Sequence, residues 1–214
     1  QSNCDFLLQM KFPDGAYKEG IGNSRKGPAT RAGDFTEIMI ADYLEFICNY
    51  KIFSRIRYDR KNVKNQSSMG SDVVGFKLID VTPKVDDELI IYEVKAHLSE
   101  RKPENLLETA MKDSIKDEHR IAEALFAIRE RAYFDRNLET FNTVDRFQNS
   151  VDFPYTKTSG AAAVFNTKSY DDHFLSLIDT SEHPNEANLK LLVIYADDFM
   201  KLVHHLYERA ANEA

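Results

Sequence analysis

Cysteine is scarce in this 214-residue chain: Cys4 and Cys48 are the two present, and they form no metal-type spacing. Cys48 lies in an apolar helical pattern, which suggests a buried free thiol in a reducing cytosol. No apolar run approaches the roughly 20 residues that cross a bilayer, and no signal peptide is visible. The expectation is a cytoplasmic protein with no membrane association. No Gly-Lys phosphate loop is present, and Ser67-Ser68-Met69-Gly70 lacks the strand–turn–helix frame of a nucleophile elbow, so an intrinsic NTPase is disfavoured. Repeats, low-complexity tracts and interdomain linkers are also lacking, which predicts one domain over residues 1–214. Gln1-Ser2-Asn3 stands where an initiator methionine would be and reads as a tag remnant, so native N-terminal residues are expected to be missing.

An excess of positive charge is lacking too. Lys and Arg number 28 against 35 Asp and Glu, a net charge of −7, which argues against a surface coated for nucleic acid. One local stretch runs the other way. "KIFSRIRYDRKNVK" (51–64) holds Lys51, Arg55, Arg57, Arg60, Lys61 and Lys64 against the single acid Asp59. Such a segment suits a phosphate backbone, with Arg55, Arg57, Arg60, Lys61 and Lys64 as the nucleic-acid contacts. The same charges would equally keep an edge strand soluble.

What the chain does have is material for a substantial core: 43 % hydrophobic residues, with 14 Phe and 10 Tyr. The periodicity predicts a helix from Asp34 to about Asn49, a strand over "IFSRIRYDR", and then a loop. Strands are predicted over residues 72–80 and 88–97, close enough in sequence to form an antiparallel hairpin. A long helix follows Pro103 to about Arg131, and residues 135–160 look irregular or lightly helical. "GAAAVFN" (160–166) and "LKLLVIYADDF" (189–199) read as buried strands, and a helix with His204 and His205 closes the chain. The order implies an α/β fold with a central mixed sheet flanked by helices.

Two stretches carry the chemistry. In "LIIYEVK" (89–95) alternation puts Leu89, Ile91, Glu93 and Lys95 on one strand face, so an ionised pair ends an apolar run. In "GSDVVGF" (70–76) Asp72 stands at the threshold of the preceding strand. A tight hairpin would bring Asp72 beside Glu93 and Lys95, and a divalent cation is the usual means of keeping two adjacent carboxylates ionised. Magnesium fits, since it takes one or two carboxylates and leaves positions for water and phosphate oxygens. Asp72 would otherwise be a turn acid capping backbone groups. Glu37 is the one acid inside the apolar arc of the first helix. It is either a third site carboxylate or the partner of Asp34 in a capping box.

These segments resemble the PD-(D/E)XK nuclease superfamily of restriction-endonuclease-like folds, with Ser71 where the motif's proline would stand. The resemblance implies a core of helix, three strands, helix and strand. It makes Asp72 and Glu93 metal ligands and Glu37 a third, with Lys95 completing the catalytic set by orienting the attacking water. "GDFTEIMIADYLEF", "YEVKAHLSE" and "RIAEALFAIRERA" are further similar to the HamA nuclease subunit of Hachiman antiphage defence systems. That likeness implies a Mg²⁺-dependent DNA endonuclease, with Mn²⁺ as a substitute, acting with a helicase partner. The rival readings are a non-catalytic nucleic-acid or partner-binding module of the same fold, and an RNA nuclease or junction resolvase using the same site.

Overall fold

The computed structural model describes residues 26–53 and 72–213. Helix α1 (Lys26–Asp42) runs directly into a π turn (Tyr43–Ile47). It begins about two turns before Asp34. Pro28 accounts for the difference: in the first turn its missing N–H was an orphan donor in any case. Asp34 is therefore interior to the helix and buried, and the capping box with Glu37 does not exist. Cys48 N donates to the Tyr43 carbonyl (3.1 Å) to close the π turn, and Asn49 leaves it at a left-handed φ of 59°. Cys48 is a free thiol, half-buried where burial was expected.

The strand expected over "IFSRIRYDR" lies largely outside the described residues; Lys51, just before it, makes an isolated bridge with Phe76. Strands β1 (Val73–Lys77) and β2 (Glu88–His97) form the antiparallel hairpin, from Val73 opposite Tyr92 to Lys77 opposite Glu88. Helix α2 (Leu106–Phe134) starts at Asn105, whose side chain accepts from Glu108 N (3.3 Å) and donates to Glu108 Oε2 (2.6 Å). The cap satisfies the Glu108 backbone donor, and the side-chain bond back to Glu108 holds the Asn105 amide in place. The stretch expected to be irregular or lightly helical contains helix α3 (Leu138–Gln148), whose buried stripe is Thr140, Thr143, Val144 and Phe147. Half of that stripe is polar, so the apolar period is faint. Strand β3 (Thr156–Asn166) starts before Gly160, in a polar run that hides its pattern. A short helix α4 (His173–Ser176), strand β4 (Leu189–Ala196) and helix α5 (Phe199–Glu213) complete the chain.

The sheet order is β1-β2-β3-β4, antiparallel between the first two strands and parallel thereafter. Helices cover both faces. Ile40 and Ala41 of α1, Leu44 of the π turn and Phe199 and Val203 of α5 pack on Ile90, Tyr92 and Val94. Leu125 and Ile128 of α2 and Val144 and Phe147 of α3 pack on Val74, Phe76, Leu89 and Ile91. Farther along α2, Leu107, Ala110 and Met111 meet Ala161, Ala163 and Phe165 of β3. Gly160 lies opposite Tyr92 in the register, and a Cβ there would stand 2.5 Å from the Tyr92 ring. The small residues of β3 thus admit a large aromatic next door. Among the described residues no helix is long and apolar enough to cross a membrane.

The hairpin loop is clamped from below. Asp87, 1 % exposed, accepts from Ile79 N (2.9 Å) and Lys84 N (3.0 Å) and pairs with Arg146 of α3. Arg146 also donates to the carbonyls of Asp80, Val81 and Thr82. Replacing Asp87 by Ala removes the carboxylate and strands the guanidinium. We expect a loss of about 3–5 kcal/mol in urea unfolding; a loss below about 1 kcal/mol would show that the clamp is not what fixes the loop.

Candidate active site

Directly opposite residues of an antiparallel pair project to the same face, with Cβ atoms about 4.5–5.5 Å apart. The ladder ends at Val73 opposite Tyr92, and continuing its register by one residue would set Asp72 across from Glu93. The hydrogen bonding fits this placement: Asp72 Oδ2 accepts from Val94 N at 2.7 Å. The carboxylate takes the place of a ladder carbonyl and locks Asp72 onto the neighbouring strand. Asp72 is thus tied to Val94, the residue between Glu93 and Lys95.

Glu93 is 7 % exposed, on the α2 face of the sheet. A buried carboxylate needs a partner, and Lys95 Nζ donates to Glu93 Oε1 at 2.6 Å. A second carboxylate joins from α2, with Asp113 Oδ2 at 2.8 Å from Lys95 Nζ. Lys116, one helical turn on, reaches Asp113 Oδ1 at 2.5 Å. Burial pulls the Lys95 pKa down, but hydrogen bonds to Asp113 and Glu93, and their charges, outweigh it and push it up to about 12. The Asp113 carboxyl is held below its usual range, first by Lys116 and then by Lys95.

Asp113 was not legible as a site residue. Its signal was an acid three residues after Ala110 and seven after Leu106, on the stripe of α2 that faces the sheet. The Glu108–Lys112 pair lies on the helix surface, with its ions 2.5 Å apart and Glu108 also serving the helix cap.

Glu37 is placed differently. It belongs to the sheet-facing arc of α1, one turn before Ile40 and Ala41, but α1 covers the face carrying Ile90, Tyr92 and Val94. Glu93 and Lys95 face the other way. Among the described residues no three His, Cys, Asp or Glu side chains are gathered closely enough to hold a metal ion, so Glu37 does not join Asp72 and Glu93 as a ready third ligand. Arg55, Arg57, Arg60, Lys61 and Lys64 all lie outside the described residues.

Two other groups invite a chemical reading. His97 follows Lys95 on the same strand face; its Nδ1 is buried without a hydrogen bond, and Nε2 is 3.9 Å from Glu104. Burial lowers its pKa, countered in part by Glu104. Buried Ser114 and His183 look like a nucleophile and base, at 3.2 Å. The hydrogen bonds exclude it. His183 Nδ1 accepts from Asn185 N (3.1 Å), so Nε2 carries the proton and donates to Ser114, whose own proton goes to the Met111 carbonyl (2.7 Å). The pair is a clasp between α2 and the loop before β4.

Comparison with known proteins adds what geometry cannot. No curated protein matches the chain. The family model HamA, whose name is that of a component of Hachiman antiphage defence, matches residues 1–210. That span takes in both strands of the hairpin, the α2 carboxylate and nearly all else, and the chain belongs to the HamA family.

Proposed function

We propose that this HamA-family chain is a metal-dependent endonuclease of the PD-(D/E)XK type, cleaving DNA as the effector of a defence complex that includes a helicase. The observation that carries the proposal is the hydrogen bond from Val94 N to Asp72 Oδ2, which ties Asp72 to the residue between Glu93 and Lys95, with the Lys95 ammonium 2.6 Å from Glu93.

The donor set fits magnesium and not a metal that demands three or four protein ligands. Two carboxylates on adjacent rigid strands are what Mg²⁺ asks of a protein, the remaining positions going to water and phosphate. Asp72 and Glu93 would hold it, and Mn²⁺ would substitute for it. Glu37, on α1, is not gathered with them among the described residues. When bound, the ion supplies polarisation of the phosphate and a lowered pKa for an attached water.

The protein's own residues do the rest. Val94 N fixes the Asp72 carboxylate, so its orientation is set before substrate arrives. Lys95 keeps its proton at working pH and acts as a fixed positive charge toward the phosphate, not as a base that removes a proton from water. The basic segment 51–64 would grip the phosphate backbone, a contact that gives affinity without base specificity.

The purified chain, with and without its helicase, is to be incubated with duplex and single-stranded DNA and with RNA, in Mg²⁺ or EDTA. Cleavage should need the metal, prefer DNA, and fall by about 10²-fold or more in Asp72→Ala and Glu93→Ala variants that keep their fold. Unchanged DNA binding with no metal-dependent cleavage in the wild type would favour the non-catalytic module; a preference for RNA would move the substrate.

The pH dependence follows from Lys95. Its folded pKa, about 12, lies above the ordinary 10.5. The stability lent by its ion pairs is therefore fully present below about 10.5 and disappears as pH rises through about 12. Cleavage should show no limb from lysine deprotonation between about pH 6 and 10. Lys95→Met should lower activity by the same factor across that window. A loss confined to one end of it would make Lys95 a titrating base.

A further inference from the structure

Lysine is a point charge on a flexible four-carbon stem, so its place in a site is set by what holds its end. Lys95 has two holders here, Glu93 from its own strand and Asp113 from α2. The first cannot serve in both of its proposed roles without change, because a cation on Glu93 competes with the ammonium for the same carboxylate. Asp113 faces no such competition. Its other oxygen is occupied by Lys116, which orients Oδ2 toward Lys95. Helix α2 is anchored beneath by Ala110 and Met111 against β3, so the carboxylate stands on a fixed support.

Charge makes the same point. Asp72, Glu93 and Asp113 bring three negative charges to this corner, and Lys95 and Lys116 bring two positive ones. A divalent cation reverses the sum from −1 to +1, which favours a phosphate over an empty site. Removing Asp113 would leave Lys95 repelled by the cation and without an anchor.

On the function proposed above, we propose that Asp113 is a positioning residue: it retains the Lys95 ammonium at the site when Glu93 is given over to a metal. Asp113 itself touches neither metal nor substrate.

The test reads the ammonium directly. Nitrogen-15 spectra of the full-length chain resolve a lysine ammonium that is immobilised and exchanging slowly, and the Lys95 signal is assigned by its disappearance in Lys95→Met. It should survive Glu93→Ala, where Asp113 remains, and vanish in Glu93→Ala/Asp113→Asn. It should also survive addition of Mg²⁺ to the wild type and vanish when Mg²⁺ is added to Asp113→Asn. Absence of the signal in the wild type, its loss in Glu93→Ala, or its persistence in the double variant overturns the proposal. The Glu93→Ala arm needs no folding of an Asp113 variant, and neither it nor the double variant needs metal or cleavage. A chain that never cleaves would therefore sink the nuclease reading while leaving this one standing. Where cleavage is seen, Asp113→Asn should reduce kcat roughly 10- to 100-fold with little change in KM, and should cost nothing further in a Lys95→Met background.

Discussion

The register of one β-hairpin decides everything at this site. Strand side chains alternate with a period of two, so a slip of one residue between β1 and β2 would turn Asp72 away from Glu93 and set it toward the helix α1 layer. Three features fix that register. Phe76 and Val74 of β1 must enter the pocket formed by α2 and α3 with Leu89 and Ile91. The loop is gathered at one end by Asp87 and Arg146, and the strands are tied at the other by Asp72 itself to Val94 N. A candidate catalytic group is thereby also the last bond of the ladder.

The electrostatics follow from burial. Glu93 is enclosed because β2 is an inner strand with helices on both faces, and an enclosed carboxylate has to be paired. Lys95 is the nearest cation by the geometry of the strand, two residues on and on the same face. Its own half-burial would lower its pKa, and the second carboxylate from α2 restores it. The result is a chain of alternating charge, Glu93–Lys95–Asp113–Lys116, running from sheet to solvent along the helix. Its inner end is rigid and its outer end is exposed.

How much of this was legible in the sequence depended on whether local pattern or layer assignment was needed. The Glu-x-Lys strand and the threshold aspartate could be found because a hairpin's geometry is local, and a short connection leaves few ways to pair. The wheel for α1 put Glu37 among the sheet-facing residues, yet a wheel cannot say which face of the sheet a helix will cover, and Ile40 and Ala41 of α1 pack on the face opposite Glu93. Asp113 was hidden for the converse reason: on its own helix it looks like one more acid beside Lys116, and its meaning comes from Lys95, eighteen residues earlier on a different element. Helix α3 and the start of β3 escaped because buried threonines and a polar strand entry weaken the apolar period that a sequence reader follows.

Backbone and side chain divide the work of precision at this site. Glu93 is flanked by Tyr92 and Val94, which pack into the α1 side of the core, and Gly160 lets the Tyr92 ring lie flat against β3. The peptide that carries Glu93 is thus pressed from behind, and its carboxylate needs few restraints of its own. Asp72 is tied to that same backbone by its hydrogen bond from Val94 N. Lys95 shares the strand but not the benefit, because four rotatable bonds separate its charge from the rigid frame, and the frame cannot control where it points. An ammonium in such a position is placed by counter-charges or not at all. That is why a carboxylate on a separate helix, contributing nothing to the core, belongs to the site as much as the strands do.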